Sequence, residues 1–214
     1  MNDSVKRDYR STLRAAQAAD TRQSIVAAAA RLFIADGYGR TTIDGVAESA
    51  GVSRKTVFSA VGGKVELLKS ALDWAVAGDD EPIAIADRPA IRALLALEDP
   101  AALLAGWVRA LVEIDVRAAS LLHALEVAAD GDDDARRLID EYRAQRLAGA
   151  RAVVKRLATL DALSENMSRA DATDVAWLAT DPLLFDRLVR SRGWSVGKFE
   201  RWLARTLTGQ LIQP

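Results

Sequence analysis

The sequence predicts an all-α protein, with a three-helix helix-turn-helix domain at the N-terminus and a larger helical domain behind it. Three observations lead there. Alanine, leucine and arginine dominate, and the period-two alternation of a half-buried strand is hard to find. Apolar residues instead recur at helical spacing in segments punctuated by Gly and Pro. Between residues 41 and 64, a short helix, a Gly51 turn and a second short helix follow one another, which is the pattern of a helix-turn-helix. Half of the 214 residues are hydrophobic and 28% are charged, within the range of an ordinary globular chain.

The elements follow in order. Ile25, Ala28, Ala29, Leu32 and Phe33 form one stripe of a helix expected over 21–36, with Thr21 as N-cap and Gly37 as stop. Thr41-Thr42 caps a second helix carrying Ile43, Val46, Ala47 and Ala50, ended by Gly51. Ser53 caps a third, whose apolar face is Val57, Phe58 and Val61, and Gly62-Gly63 stops it. A fourth runs over 64–77 with Leu67, Leu68, Ala71, Leu72 and Ala75 inward. Gly78-Asp79-Asp80-Glu81-Pro82 and Asp87-Arg88-Pro89 break the pattern. The expected division is therefore a basic arm over 1–20, a helix-turn-helix domain over 21–77 with its connecting helix, and a helical domain over 78–214. In the last of these, helices are expected near 89–98, 100–117, 118–129, 133–160, 170–190 and 195–211, with a kink or split at Asp181-Pro182.

Charge is divided in the same way. Residues 1–70 hold eleven basic and seven acidic side chains, a balance of +4 inside a chain whose net charge is −1. The remainder is acidic, so only the N-terminal part suits a polyanion. Cysteine is absent, which excludes disulfides and thiolate metal sites and favours the cytosol. No apolar run follows Met1-Asn2-Asp3-Ser4-Val5-Lys6-Arg7, so no signal peptide is expected, and no membrane helix or membrane partner either.

The residues at the turn suit a duplex. The second helix of such a unit enters the major groove while the first crosses the backbone. Ser53, Arg54, Lys55 and Thr56 open that helix, and Phe58 and Ser59 follow them. Thr41, Thr42 and Lys64 lie at neighbouring helix starts, where backbone N–H groups favour phosphate.

The stretch 21–70 resembles the DNA-binding domain of the tetracycline-repressor (TetR) family. The matching pieces are Arg22 and Ile25, Leu32-Phe33 with Gly37-Tyr38, Thr41-Thr42, Val46-Ala47, Ala50-Gly51-Val52-Ser53, Thr56-Val57-Phe58, and Lys64 with Leu67-Leu68. The resemblance implies a homodimer that reads a near-palindromic double-stranded operator, and a small-molecule effector held in the C-terminal domain. It makes Thr41, Thr42, Ser53, Arg54, Lys55, Thr56, Phe58, Ser59 and Lys64 the candidate DNA contacts. The sequence departs from the family at Ser59-Ala60, where an aromatic and a histidine are usual. It departs again at Asp44, a position often basic or polar, and Asp44 is left outside the contact set.

Other constellations are thinner. Lys6, Arg7, Arg10 and Arg14 read either as an arm along DNA or as a solvated tail. Asp130, Asp132, Asp134 and Glu141 approach a calcium loop, but Ala135 replaces its required glycine; a turn before an acidic helix start is the plainer reading. Gly62-Gly63-Lys64 lacks the earlier glycine and the strand of a phosphate loop. His123, the single histidine, reads as a ligand hydrogen bonder or as a locally satisfied side chain. Trp107, His123 and Glu126 are the candidate pocket residues, and Phe185, Phe199, Trp202 and Leu203 the candidate dimer contacts; for the tryptophans, core packing is the competing reading. No catalytic residue, cofactor or metal site is expected. A DNA-independent helical binding protein and a carboxylate-based enzyme remain as alternatives to a regulator.

Overall fold

The computed structural model describes the backbone of residues 3–78 and 85–213, and the side chains of 13–78 and 85–213. Helix α1 spans Asp3–Arg40, α2 Ile43–Ala50, α3 Arg54–Ala60 and α4 Lys64–Ala77. After a 3₁₀ turn at Ile85–Asp87 come α5 (Pro89–Leu95), α6 (Pro100–Ala129), α7 (Asp133–Thr159), α8 (Arg169–Ala179), α9 (Pro182–Phe185), a π-helical turn over Asp186–Ser191, and α10 (Val196–Leu211). No strand occurs among the described residues, where pairing is limited to one isolated bridge between Leu163 and Ile212.

The first helix begins well before Thr21. The Thr21 hydroxyl donates to the Gln17 carbonyl at 2.8 Å, one turn back, so Thr21 sits inside a helix rather than capping one. The expected arm of 1–20 is thus helical backbone from Asp3 onward and continuous with α1; Met1 and Asn2, and the side chains of Lys6, Arg7 and Arg10, lie outside the described residues. Gly37 does interrupt the helix, at φ 77° and ψ 169°.

Caps set the short helices as the residue types require. Thr42 accepts from the Gly45 N–H and Ser53 from the Thr56 N–H, each satisfying a donor that the first helical turn leaves open. Gly51 closes α2 in the left-handed region at φ 67°. A side chain there meets no steric neighbour, but it carries the left-handed backbone penalty. Gly51→Ala is therefore expected to cost about 1 kcal/mol, read from the midpoint of a urea titration with unchanged slope.

Two helices predicted over 100–117 and 118–129 are a single 30-residue helix, α6. No glycine or proline separates Arg117 from Ala118, so nothing stops the ladder. The predicted 170–190 helix is split at Asp181, whose carboxylate caps Leu183 ahead of Pro182. The expected break at 78–82 falls largely on residues 79–84, outside the described residues.

Apolar burial forms two clusters. One gathers Ile25, Phe33, Val46, Val57, Leu67 and Leu72 of the N-terminal helices with Leu121, Leu125 and Ile139 of α6 and α7. The other gathers Leu103, Trp107, Val108, Val154, Leu157, Phe185, Phe199 and Leu203. Helices α6 and α7 contribute to both. The helix-turn-helix therefore does not close its core on itself at residue 77; it packs on the lower halves of α6 and α7.

Candidate nucleic-acid interface

Helices α2 and α3 meet around Val46, Ala47 and Val57, all buried, which fixes the angle at which α3 projects. The outer side of α3 then carries Ser53, Arg54, Lys55, Phe58 and Ser59, all exposed. Lys55 has no side-chain partner among the described residues and extends into solvent. The Ser53 and Thr56 hydroxyls are 2.8 Å apart, and Ser59 donates to the Thr56 carbonyl at 3.1 Å. These hydroxyls serve the helix first and retain limited capacity outward.

Arg54 is held rather than free. Its guanidinium donates to Asp44 of α2 at 2.6 Å and lies 5.4 Å from the centre of the Phe58 ring. Asp44, set aside on sequence grounds, is the group that aims Arg54. Phe58 is 47% exposed, an apolar plate beside that cation. Thr42 is exposed and keeps its hydroxyl hydrogen while accepting from Gly45.

Thr41 differs from expectation. It is buried, and its hydroxyl donates to the Gly37 carbonyl at 2.9 Å, an acceptor that its own backbone N–H also uses. It is a packing residue of the α1–α2 corner, and removal from the contact set follows from its burial. Lys64 is half-buried, with its ammonium 4.1 Å from the centre of the Tyr38 ring and 3.5 Å from the Gly39 carbonyl. Burial lowers its pKa and the nearby Asp132 carboxylate opposes that shift.

Tyr38 leads to a set of contacts the sequence did not disclose. Its hydroxyl donates to Asp132, the N-cap of α7, at 2.9 Å. Burial raises the phenol pKa, with the hydrogen bond to Asp132 acting in the same direction. Tyr142 of α7 donates to Asp73 of α4 at 2.7 Å, and Arg117 of α6 donates to the Ala75 and Val76 carbonyls at the end of α4. The N-terminal helices are thus gripped by α6 and α7 through polar side chains as well as a shared core. The Asp130–Asp134 segment is the plain helix start expected of it: Asp132 accepts from the Asp134 and Ala135 N–H groups.

The predicted pocket residues are not brought together. Trp107 is buried in the second core cluster, His123 is exposed, and half-buried Glu126 accepts from Arg143 at 2.8 Å. Sixteen residues of one helix separate Trp107 from His123, about 24 Å of rise, too far for one small site. Trp107 also sits apart from Val116 and Val196, which line an open groove between α6 and α10. The predicted dimer contacts are likewise internal. Phe185, Phe199 and Leu203 are 3%, 0% and 2% exposed within a single chain, and Phe199 meets Phe185 edge to face at 5.4 Å. Only Trp202 keeps partial exposure, packed on Trp194 and Phe199. Their helical spacing marked an apolar face, and that face turned inward.

A basic, exposed α3, set by a buried corner on a helical body, defines a helix-turn-helix unit. Residues 25–71 match the profile of the family described as bacterial regulatory proteins, tetR family. Over 58 residues, 27% of this chain, the sequence is 43% identical to the HTH-type transcriptional regulator SrpR of Pseudomonas putida, and the match spans about a quarter (27%) of that protein's length. The fold as a whole is similar to NalD, described as the secondary repressor of the MexAB-OprM multidrug efflux pump in Pseudomonas aeruginosa. That likeness has a TM-score of 0.68 at 18% identity and covers 91% of this chain and 97% of NalD. A transcriptional-regulator structure from Saccharomonospora viridis in complex with choline is similar at TM-score 0.68 and 18% identity, over 92% of this chain and all of that one. The match to the tetR family lies in residues 25–71, and the structural likeness carries the fold of the rest. No helix among the described residues is long and apolar enough to cross a membrane.

Proposed function

We propose that the protein is a homodimeric transcriptional repressor that binds a near-palindromic operator and is released by a small-molecule effector. The observation that carries this reading is α3, whose first turn projects Arg54 and Lys55 into solvent from a rigid α2–α3 corner. Arg54 reads base edges, Lys55 and Lys64 neutralise phosphate, and Thr42 and Ser53 fix the helix starts against the backbone. Phe58 and Ser59 complete the contact face. The domain division at residue 77 is retained as functional: the helix-turn-helix over 21–77 meets DNA, and 78–214 dimerises and takes the effector.

The comparisons support this reading by kind. NalD is a repressor of an efflux pump, and the Saccharomonospora viridis structure holds choline, a small organic molecule. With a single histidine and no cysteine, the chain is also poorly equipped for catalysis. Release needs an effector that prefers the state with the two α3 helices out of register, because only differential affinity shifts an equilibrium. The polar grip of Asp132 on Tyr38, Tyr142 on Asp73 and Arg117 on the end of α4 is the route by which α6 and α7 would move the reading head.

A gel-shift titration with the DNA flanking the chain's own gene tests the proposal, at two salt concentrations and with excess nonspecific duplex. A shift that survives competitor and weakens steeply with salt is expected; loss of the shift to competitor counts against it. The same assay reads the role of Asp44. Both partners of the Asp44–Arg54 pair are more than half exposed, so Asp44→Ala is expected to change stability by under about 0.5 kcal/mol. Arg54 then loses its guide, and the ranking of operator variants changes at the base pairs under α3. An unchanged ranking would remove Arg54 from base readout.

A further inference from the structure

The most unusual polar group in the C-terminal domain is Asp115, in the middle of α6. It is only 6% exposed, and it accepts no hydrogen bond from any described residue. An ionised carboxylate in that condition is costly unless something pairs with it. The groups facing it come from two other elements. Arg146 of α7 lies close enough to favour the ionised form, and Asp181, at the α8–α9 turn, opposes it. Arg146 is already engaged: it donates to the Thr180 carbonyl at 3.0 Å and stands 3.9 Å from Asp181. Beyond it, Arg143 is shared between Glu126 at 2.8 Å and Asp140 at 3.2 Å. The balance leaves two carboxylates against one guanidinium, and the uncompensated one is the buried one. Burial pushes the Asp115 carboxyl up to about 7, against the pull of Arg146.

We infer that Asp115, with Asp181 and Arg146 beside it, is the charged end of a site for a protonated organic amine, and that this amine is the effector class. An ammonium group supplies both things Asp115 lacks, a hydrogen-bond donor and one positive charge. Its apolar remainder would lie against Val112, Ala119 and Leu122, core residues one turn or two away on the same helix face. The position also suits control. Arg146 is one helical turn from Tyr142, the residue that holds Asp73 of α4. A ligand that draws Asp115 and Arg146 into new contacts acts directly on the segment of α7 that grips the reading head. The effector role rests on the regulator reading above; the binding site does not.

Calorimetric titration of the full chain with n-butylammonium and benzylammonium tests the site, with n-butanol and benzyl alcohol as uncharged counterparts. The ammonium forms are expected to bind at least about tenfold more tightly than the alcohols. That preference should collapse toward one in Asp115→Asn, which keeps the volume and removes the charge. In the wild type it should weaken roughly tenfold from pH 8 to pH 6 as Asp115 takes up its proton, while the amines stay charged. The pH series stands whether or not the variant folds. Equal binding of alcohol and amine, or a preference that survives Asp115→Asn, would overturn the site. Operator affinity measured with and without benzylammonium then tests the effector role. Binding that leaves operator affinity unchanged would overturn that role, whereas failure to bind operator without any ligand would be a failure of the regulator reading itself.

Discussion

Replacing Lys55 and Lys64 together with alanine is expected to lower operator affinity about a thousandfold while the chain stays folded. In the proposed dimer four cationic contacts are lost, and roughly 1 kcal/mol for each gives that factor. The loss is uniform across operator variants, since phosphate carries no sequence information. The plot of log affinity against log salt should also flatten by between about three and four units, at about 0.9 per lost contact. Lys55 is the cleaner half of the pair, exposed and without a side-chain partner among the described residues. Lys64 also covers the Tyr38 ring, so its single variant is checked by thermal melting. A double variant that keeps the wild-type salt slope would place the DNA surface elsewhere.

Phe199→Ala is expected to be the most damaging single substitution, costing about 3–5 kcal/mol. Phe199 is fully buried, edge to face with Phe185 and tilted against Trp202. The cost should appear as a lower denaturation midpoint at every protein concentration. A residue of a dimer interface would behave differently, with its effect confined to the concentration at which protomers dissociate. The experiment thus separates the core position of Phe199 from the interface role that its spacing on α10 first suggested.

Local chemistry made much of the fold legible in the sequence. Thr42 and Ser53 cap the helices they were expected to cap, and Asp181 caps the helix that follows the expected break, because an N-cap is decided by a side chain and the amide two or three residues on. Gly51 ends α2 for an equally local reason. The reading face of α3 was accessible for the same cause: Arg54 and Lys55 follow a cap and precede the buried Val57. Long-range partners were not legible. Nothing near Tyr38 announces Asp132, 94 residues away, and nothing near Asp44 announces that it aims Arg54. Thr41 shows the limit from the other side, a hydroxyl beside a reading helix that burial turns into packing. In the C-terminal domain, an apolar stripe tells which face is buried but not against what. The stripes of Trp107, Phe185, Phe199 and Leu203 are therefore open to pocket, interface or core readings, and the structure places all four within the chain's own core cluster. Asp115 is the converse, a charged residue hidden in an apolar face and visible only when burial is known.

In the proposed regulator, α3 reads DNA as one of a symmetric pair. Selection of bound fragments from sheared genomic DNA by the purified protein, followed by footprinting of the enriched sequences, tests it most directly. A shared near-palindrome is expected, with two protected half-sites centred about one helical turn, 10–10.5 base pairs, apart or a whole multiple of it. Enrichment that vanishes with Lys55→Ala and Lys64→Ala would tie that footprint to α3. A folded protein that enriches no sequence, even at low salt, would contradict it.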